Sequence, residues 1–159
     1  MIVEPKNILR LQFLVRVVQK ECKYLSITDQ RLFASLFTLE KAVLLEKDVD
    51  LAEQVEAFVG RFCRLQDTLG DKLLPLLLTT LGEKQSVFMD NLDCAERFGF
   101  IKSADEWMLV RHLRNQMIHE YIEDLVLLCS ALQTAHDFVP TLILAANNMV
   151  GEIDRRDWL

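Results

Sequence analysis

The stretch SADEWMLVRHLRNQMIHEY, residues 103–121, decides how this chain folds. Ser103 followed by Glu106 matches a capping box, and Asp105 and Glu106 fall in the first turn, where a helix dipole favours negative charge. No glycine or proline interrupts the next fifteen residues. At 100° per residue, Trp107, Leu109, Val110, Leu113, Met117 and Tyr121 share one face, with Ile118 at its edge. The spacing predicts one amphipathic helix from Ser103 to about Tyr121, its apolar side turned to a core.

The same period of three to four recurs on both sides of it. Pro5 suits the first turn of a helix from about Lys6 to Tyr24, with Ile8, Leu11, Val15, Val18 and Cys22 in step. Ser26 and Thr28 offer N-caps for a second, from about Asp29 to Glu46, striped by Leu32, Leu36, Leu39 and Val43. Asp50 is the expected cap of a third helix reaching about Leu69, and Gly70, Pro75 and Gly82 punctuate the apolar run beyond it. A fourth fits about Lys84 to Phe98 and stops at Gly99. A sixth covers about Asp124 to Asp137 before Pro140, with a final turn through Asn147 and a short solvated tail from about residue 152 that holds Arg155 and Arg156. Alternating strand patterns are absent, so the expectation is a single all-α domain, an antiparallel bundle of five to six helices.

Composition narrows the function classes. Over 159 residues the chain is 51% hydrophobic and 26% charged, the balance of a folded globule. Its net charge of −6 excludes a general positive field for coating long nucleic acid, while a local basic site stays open. The four cysteines stand far apart, without a C-x-x-C pair, and read as buried reduced thiols of a cytoplasmic protein. The N-terminus lacks the pattern of a signal peptide, and the longest uncharged run, residues 138–151, is too short for a helical span; no membrane, metal or cofactor is expected.

The polar chemistry is concentrated in residues 111–121. Arg111, His112, Asn115, Gln116 and His119 fall on the arc opposite the apolar face, where Asn115 and His119 form an i,i+4 pair. Arg114 lies at the border, about 140° from His119 on an ideal helix. Histidine passes protons near neutrality, arginine offers a fork of donors matched to phosphate oxygens, and asparagine orients by hydrogen bonding. Joint action would need the long arginine stem, distortion at the helix end, or a second chain across a two-fold axis. The same residues also fit ion pairs on a helix surface and a histidine favoured by the helix C-terminus.

The string Arg114-Asn115-Gln116-Met117-Ile118-His119-Glu120-Tyr121 resembles the R-x4-H-x-Y signature of HEPN domains, specifically HepT-type toxins encoded beside a minimal nucleotidyltransferase antitoxin. The lead-in Arg97-Phe98-Gly99-Phe100-Ile101 and Leu113 are similar too, so the likeness covers about residues 84–125. It implies a homodimer with a cleft lined by the motif from both chains and, in active members, a metal-independent ribonuclease acting on RNA. By position, Arg114 would steady the phosphate, His119 would transfer protons and Asn115 would orient either one. Tyr121 matches the tyrosine that the partner modifies with AMP, and Arg111 and His112 would widen a basic cleft. Two other functions stay open: a non-catalytic nucleotide- or substrate-binding subunit of a small nucleotidyltransferase, and a helical dimer used only for assembly.

Overall fold

The computed structural model describes residues 2–84, 86–120 and 123–159, with Asn115, His119 and Glu120 as backbone only. The described residues form an all-α bundle without strands. Its α-helices are α1 (Pro5–Leu32), α2 (Leu39–Val43), α3 (Val49–Asp67), α4 (Leu74–Thr80), α5 (Phe88–Arg97), α6 (Ala104–Asn115) and α7 (Leu125–Arg155). A 3-10 turn, Leu44–Glu46, follows α2. Two π-helical turns, Thr68–Leu73 and Gln116–Glu120, follow α3 and α6.

Helix α1 runs straight through Ser26 and Thr28, which were expected to cap a second helix. Leu11, Leu14, Val15, Val18, Leu25, Thr28 and Leu32 keep a helical period in the core, and that burial outweighs the local capping preference. Thr28 is itself satisfied by the Arg61 guanidinium from α3. At the far end Asp29 accepts from His136 Nδ1 at 2.7 Å, and the imidazole stacks on Phe33 with centroids 4.1 Å apart. This contact ties α1 to α7 where a break was expected. The predicted stripe of Leu36, Leu39 and Val43 lies instead on the turn after α1 and on short α2, with all three exposed.

The N-cap of α3 is Asp48, whose Oδ1 accepts from Leu51 N at 3.0 Å, so Asp50 sits in the first turn rather than at the cap. Gly70 does not end the helix. The chain passes through the first π turn into α4, with Pro75 in that helix's first turn, where a missing N–H is tolerated. A Cβ on Gly70 would lie 3.2 Å from the Phe88 ring and 3.3 Å from Trp107 Nε1, so the glycine lets α5 and α6 approach without a shift of either ring.

Helix α7 also exceeds its expected length. It begins where expected, with Asp124 as its N-cap accepting from Leu127 N at 2.9 Å, but the helix continues past Pro140 to Arg155. Pro140 is exposed, so its lost hydrogen bond faces water, while Phe138, Val139 and Leu142 hold the flanking turns in the core. By length and composition α7 is apolar enough to cross a membrane. Its buried residues recur every three or four positions from Leu128 to Ile153, the one-sided pattern of a helix packed on a bundle. The tail is docked rather than free: Ile153 is fully buried, Trp158 packs on the core, and Gln12 Nε2 donates to Trp158 O at 3.0 Å.

Candidate functional site

Helix α6 is positioned from both ends. Gly99, with φ 78°, ends α5, and Phe100 N returns to Ala95 O at 2.9 Å in a Schellman closure. Asn148 of α7 donates to Phe100 O at 3.2 Å, pinning the α5–α6 link to the long helix. Ser103 Oγ accepts from Glu106 N at 3.1 Å, as the sequence predicts, and Glu96 Oε1 accepts from Ala104 N at 3.1 Å as a second cap. Ala104, Trp107, Val110 and Met117 are buried, and Trp107 meets the edge of Phe138 with centroids 6.1 Å apart.

The inward arc is therefore centred on Trp107, Val110 and Met117, and Leu109, expected in the core, is 71% exposed. This rotation carries both arginines toward α3. Arg114 pairs with Asp67 at the end of α3, with both side chains half-buried. Arg111 pairs with Asp71 in the first π turn at 2.8 Å, and its Cζ lies 4.1 Å above the Phe88 ring. Arg111 was expected on the arc with His112; it turns instead to the α3 side, and of the two His112 alone is exposed. Arginines three apart on α6 thus meet aspartates four apart on the facing segment, forming a two-rung ionic ladder. Each rung is worth about 0–1 kcal/mol at this exposure, with the Phe88 contact adding roughly 0.5–1.

Beyond Asn115 the predicted straight helix does not continue. Gln116–Glu120 forms a π turn, with Met117 buried and Gln116 and Ile118 half-buried. The side chains of Asn115 and His119 lie outside the described residues, as does Tyr121 entirely. The backbone still bears on their relation. An ideal α-helix sets positions 114 and 119 about 140° apart, and the i→i+5 turn departs from that helix from Gln116 onward.

Electrostatics around the ladder leave one nucleophile to consider. Cys63 lies near Arg114, but burial pushes its thiol up to about 11, against the smaller lowering influence of Arg114. It is a neutral thiol at physiological pH; all four cysteines are free, with Cys63 and Cys94 buried as expected and Cys22 and Cys129 only partly buried. Glu21, beside Arg64 and bonded by Thr68 Oγ1 at 2.8 Å, is raised above the usual carboxylate range by its burial. Nearby in the core, Gln66 is 1% exposed and neither its Oε1 nor its Nε2 has a partner among the described residues; the same holds for Trp107 Nε1.

Three residues of this site, Asp67, Asp71 and Phe88, were not singled out from the sequence. The aspartates carry a readable signal, an acidic i,i+4 pair that matches the arginine i,i+3 pair, but only knowledge that α3 faces α6 makes it specific. Comparison with family models, curated proteins and solved structures finds no match for this chain.

Proposed function

We propose that this chain is the HEPN-type ribonuclease of a toxin–antitoxin pair, active as a homodimer and restrained by a minimal nucleotidyltransferase. The observation that carries the proposal is the π turn within the R-x4-H-x-Y string. A five-residue spacing is poorly served by an α-helix and well served by an i→i+5 turn, and π turns inside helices occur frequently at functional sites. The Arg114 guanidinium, held by Asp67 through one Nη1, keeps further N–H donors for a phosphate.

In the proposed reaction the His119 imidazole takes the proton of an RNA 2′-hydroxyl. The 2′-oxygen attacks the adjacent phosphorus, and the bond to the 5′-oxygen of the next nucleotide breaks. That oxygen leaves with a proton taken from water, giving a 2′,3′-cyclic phosphate and a free 5′-hydroxyl, and the imidazolium returns its own proton to the solvent. Arg114 stabilises the negative charge that builds on the non-bridging oxygens, and Asn115 orients the histidine or the phosphate. AMP transferred by the partner to Tyr121 would add bulk and negative charge beside this centre and repel RNA.

Purified chain is expected to cleave single-stranded RNA in the presence of a chelator, and to slow growth when expressed alone. Arg114→Ala or His119→Ala should reduce cleavage about 100-fold or more and relieve the growth defect. Unchanged cleavage in both folded variants would remove the proposal. A second reading is a nucleotide-binding subunit in which the N–H donors that Arg114 does not give to Asp67 grip a phosphate that is not cleaved. It predicts saturable nucleotide binding without strand scission, and transferase activity of the partner only when both chains are present.

A further inference from the structure

Charge is divided unevenly between one helix and the rest of the molecule. Helix α1 holds six basic and two acidic residues; with a chain total of −6, the other 131 residues carry −10. Between Pro5 and Thr28 the single acidic residue is Glu21, and it is committed to Thr68 at the α1–α3 seam. The exposed Arg10, Arg16, Lys20 and Lys23 fall within an arc about 140° wide and extend about 20 Å along the helix.

Aromatic rings stand among these cations. Phe13 is 44% and Tyr24 48% exposed, about 17 Å apart and nearly in line on the same arc. Each is accompanied by a guanidinium, Arg10 Cζ 5.0 Å from the Phe13 centroid and Arg61 Cζ, from α3, 5.5 Å from that of Tyr24. Bulky side chains on a solvent face cost solubility, and no described residue of the bundle covers these.

We propose that the outer face of α1 is a docking surface for single-stranded RNA, phosphates lying along the cations and bases stacking on Phe13 and Tyr24. The naming of RNA rests on the ribonuclease reading above; the polyanion-binding character rests on the charge division alone. Interleaved cations and aromatic faces are what sequence-tolerant single-strand binding requires. An anionic bilayer suits the face less well, because the rings, with exposed Leu9 and Ile27, share one arc with the cations instead of forming a separate apolar face opposite them. A second copy packed through the same face would set cations against cations across the two-fold axis.

The test uses full-length protein, a fluorescent 20-nucleotide RNA at several salt concentrations, and vesicles with and without phosphatidylserine. The wild type should bind RNA with a steep salt dependence and leave vesicles in solution. Arg10→Glu/Arg16→Glu/Lys20→Glu, with its helical circular dichroism and melting retained, should bind at least about tenfold more weakly, and its slope of log K against log salt should be shallower by about 2. Phe13→Ala/Tyr24→Ala should weaken binding with the slope unchanged. Arg114→Ala/His119→Ala should lose cleavage and, giving up one phosphate contact, keep most of the salt slope of RNA binding, so loss of cleavage in that variant and loss of binding in the charge-reversed one are read separately. If cleavage is never seen but charge reversal abolishes RNA binding, the ribonuclease reading fails and this surface stands. Equal RNA affinity in wild type and charge-reversed protein, or phosphatidylserine-dependent vesicle binding without RNA binding, overturns it.

Discussion

The two π turns place the same backbone irregularity in different settings. In the first, Thr68, Leu69, Gly70 and Leu73 are all buried, and the turn lets a glycine backbone come up against Trp107 and Phe88. In the second, Met117 alone is buried among the side chains described, and the turn carries the polar string of α6. The first is an answer to packing. The second also packs, through buried Met117 and through Ile118 against the core, and differs from the first in lying inside the polar string. The arginine–aspartate ladder links the first turn to α6 just ahead of the second.

The sharpest way to break this comparison is at the packed turn. Trp107→Ala should cost about 3–5 kcal/mol in denaturant unfolding, since a 1% exposed indole is removed from between Gly70 and Phe138. Trp107→Phe, which deletes the unpartnered Nε1, should cost far less; equal losses would show that Gly70 is not what shapes this contact. Gly70→Val is expected to destabilise by about 1–3 kcal/mol, because even its Cβ meets two aromatic side chains. Just ahead of the second turn the proposal expects the reverse order: Arg114→Ala should change unfolding free energy by less than about 1 kcal/mol and the proposed RNA cleavage by a large factor. A stability loss as great as that of Gly70→Val would make the ladder a packing device like the first turn.

Smaller effects sharpen the picture beside the first turn. Gln66→Met removes two buried amide atoms without partners and keeps the side-chain length, so thermal melting should show a gain of about 1 kcal/mol. Glu21→Gln gives the smallest change. Burial raises the Glu21 pKa above its unfolded value, so its protonated form is favoured by folding; wild-type stability from this group is full below the unfolded pKa and falls as pH rises through the folded one. The variant, which can still accept from Thr68, should match the wild type near pH 3.5 and exceed it at pH 7 by under about 0.5 kcal/mol after solvent screening. A variant less stable at pH 7 than at pH 3.5, relative to wild type, reverses the sign and removes the assignment.

Local signals in the sequence were legible where the cause is local. Ser103, Gly99 and Asp124 act within one turn of their own position, and each ends or starts a helix where its chemistry predicts. Ser26, Thr28 and Pro140 carry equally strong local signals and were overridden, because the neighbouring turns on both sides are buried against other helices. The rotation of α6 that exposes Leu109 depends on the shape of the α3–α5–α7 groove. No sequence period announces the two π turns, which interrupt stretches whose apolar spacing is that of an α-helix. Of the candidate site, Arg114 was read from the resemblance and the period of α6 alike, while its partner Asp67 needed the tertiary fold.

The division of charge described for α1 gives the molecule a direction. Within about 10 Å of a polyanion, the helix is drawn in while the acidic remainder is pushed away, so encounters are selected by orientation just before contact. A strand would meet this protein helix first, in one attitude, and a rise in ionic strength would randomise that approach before it weakened any contact already made.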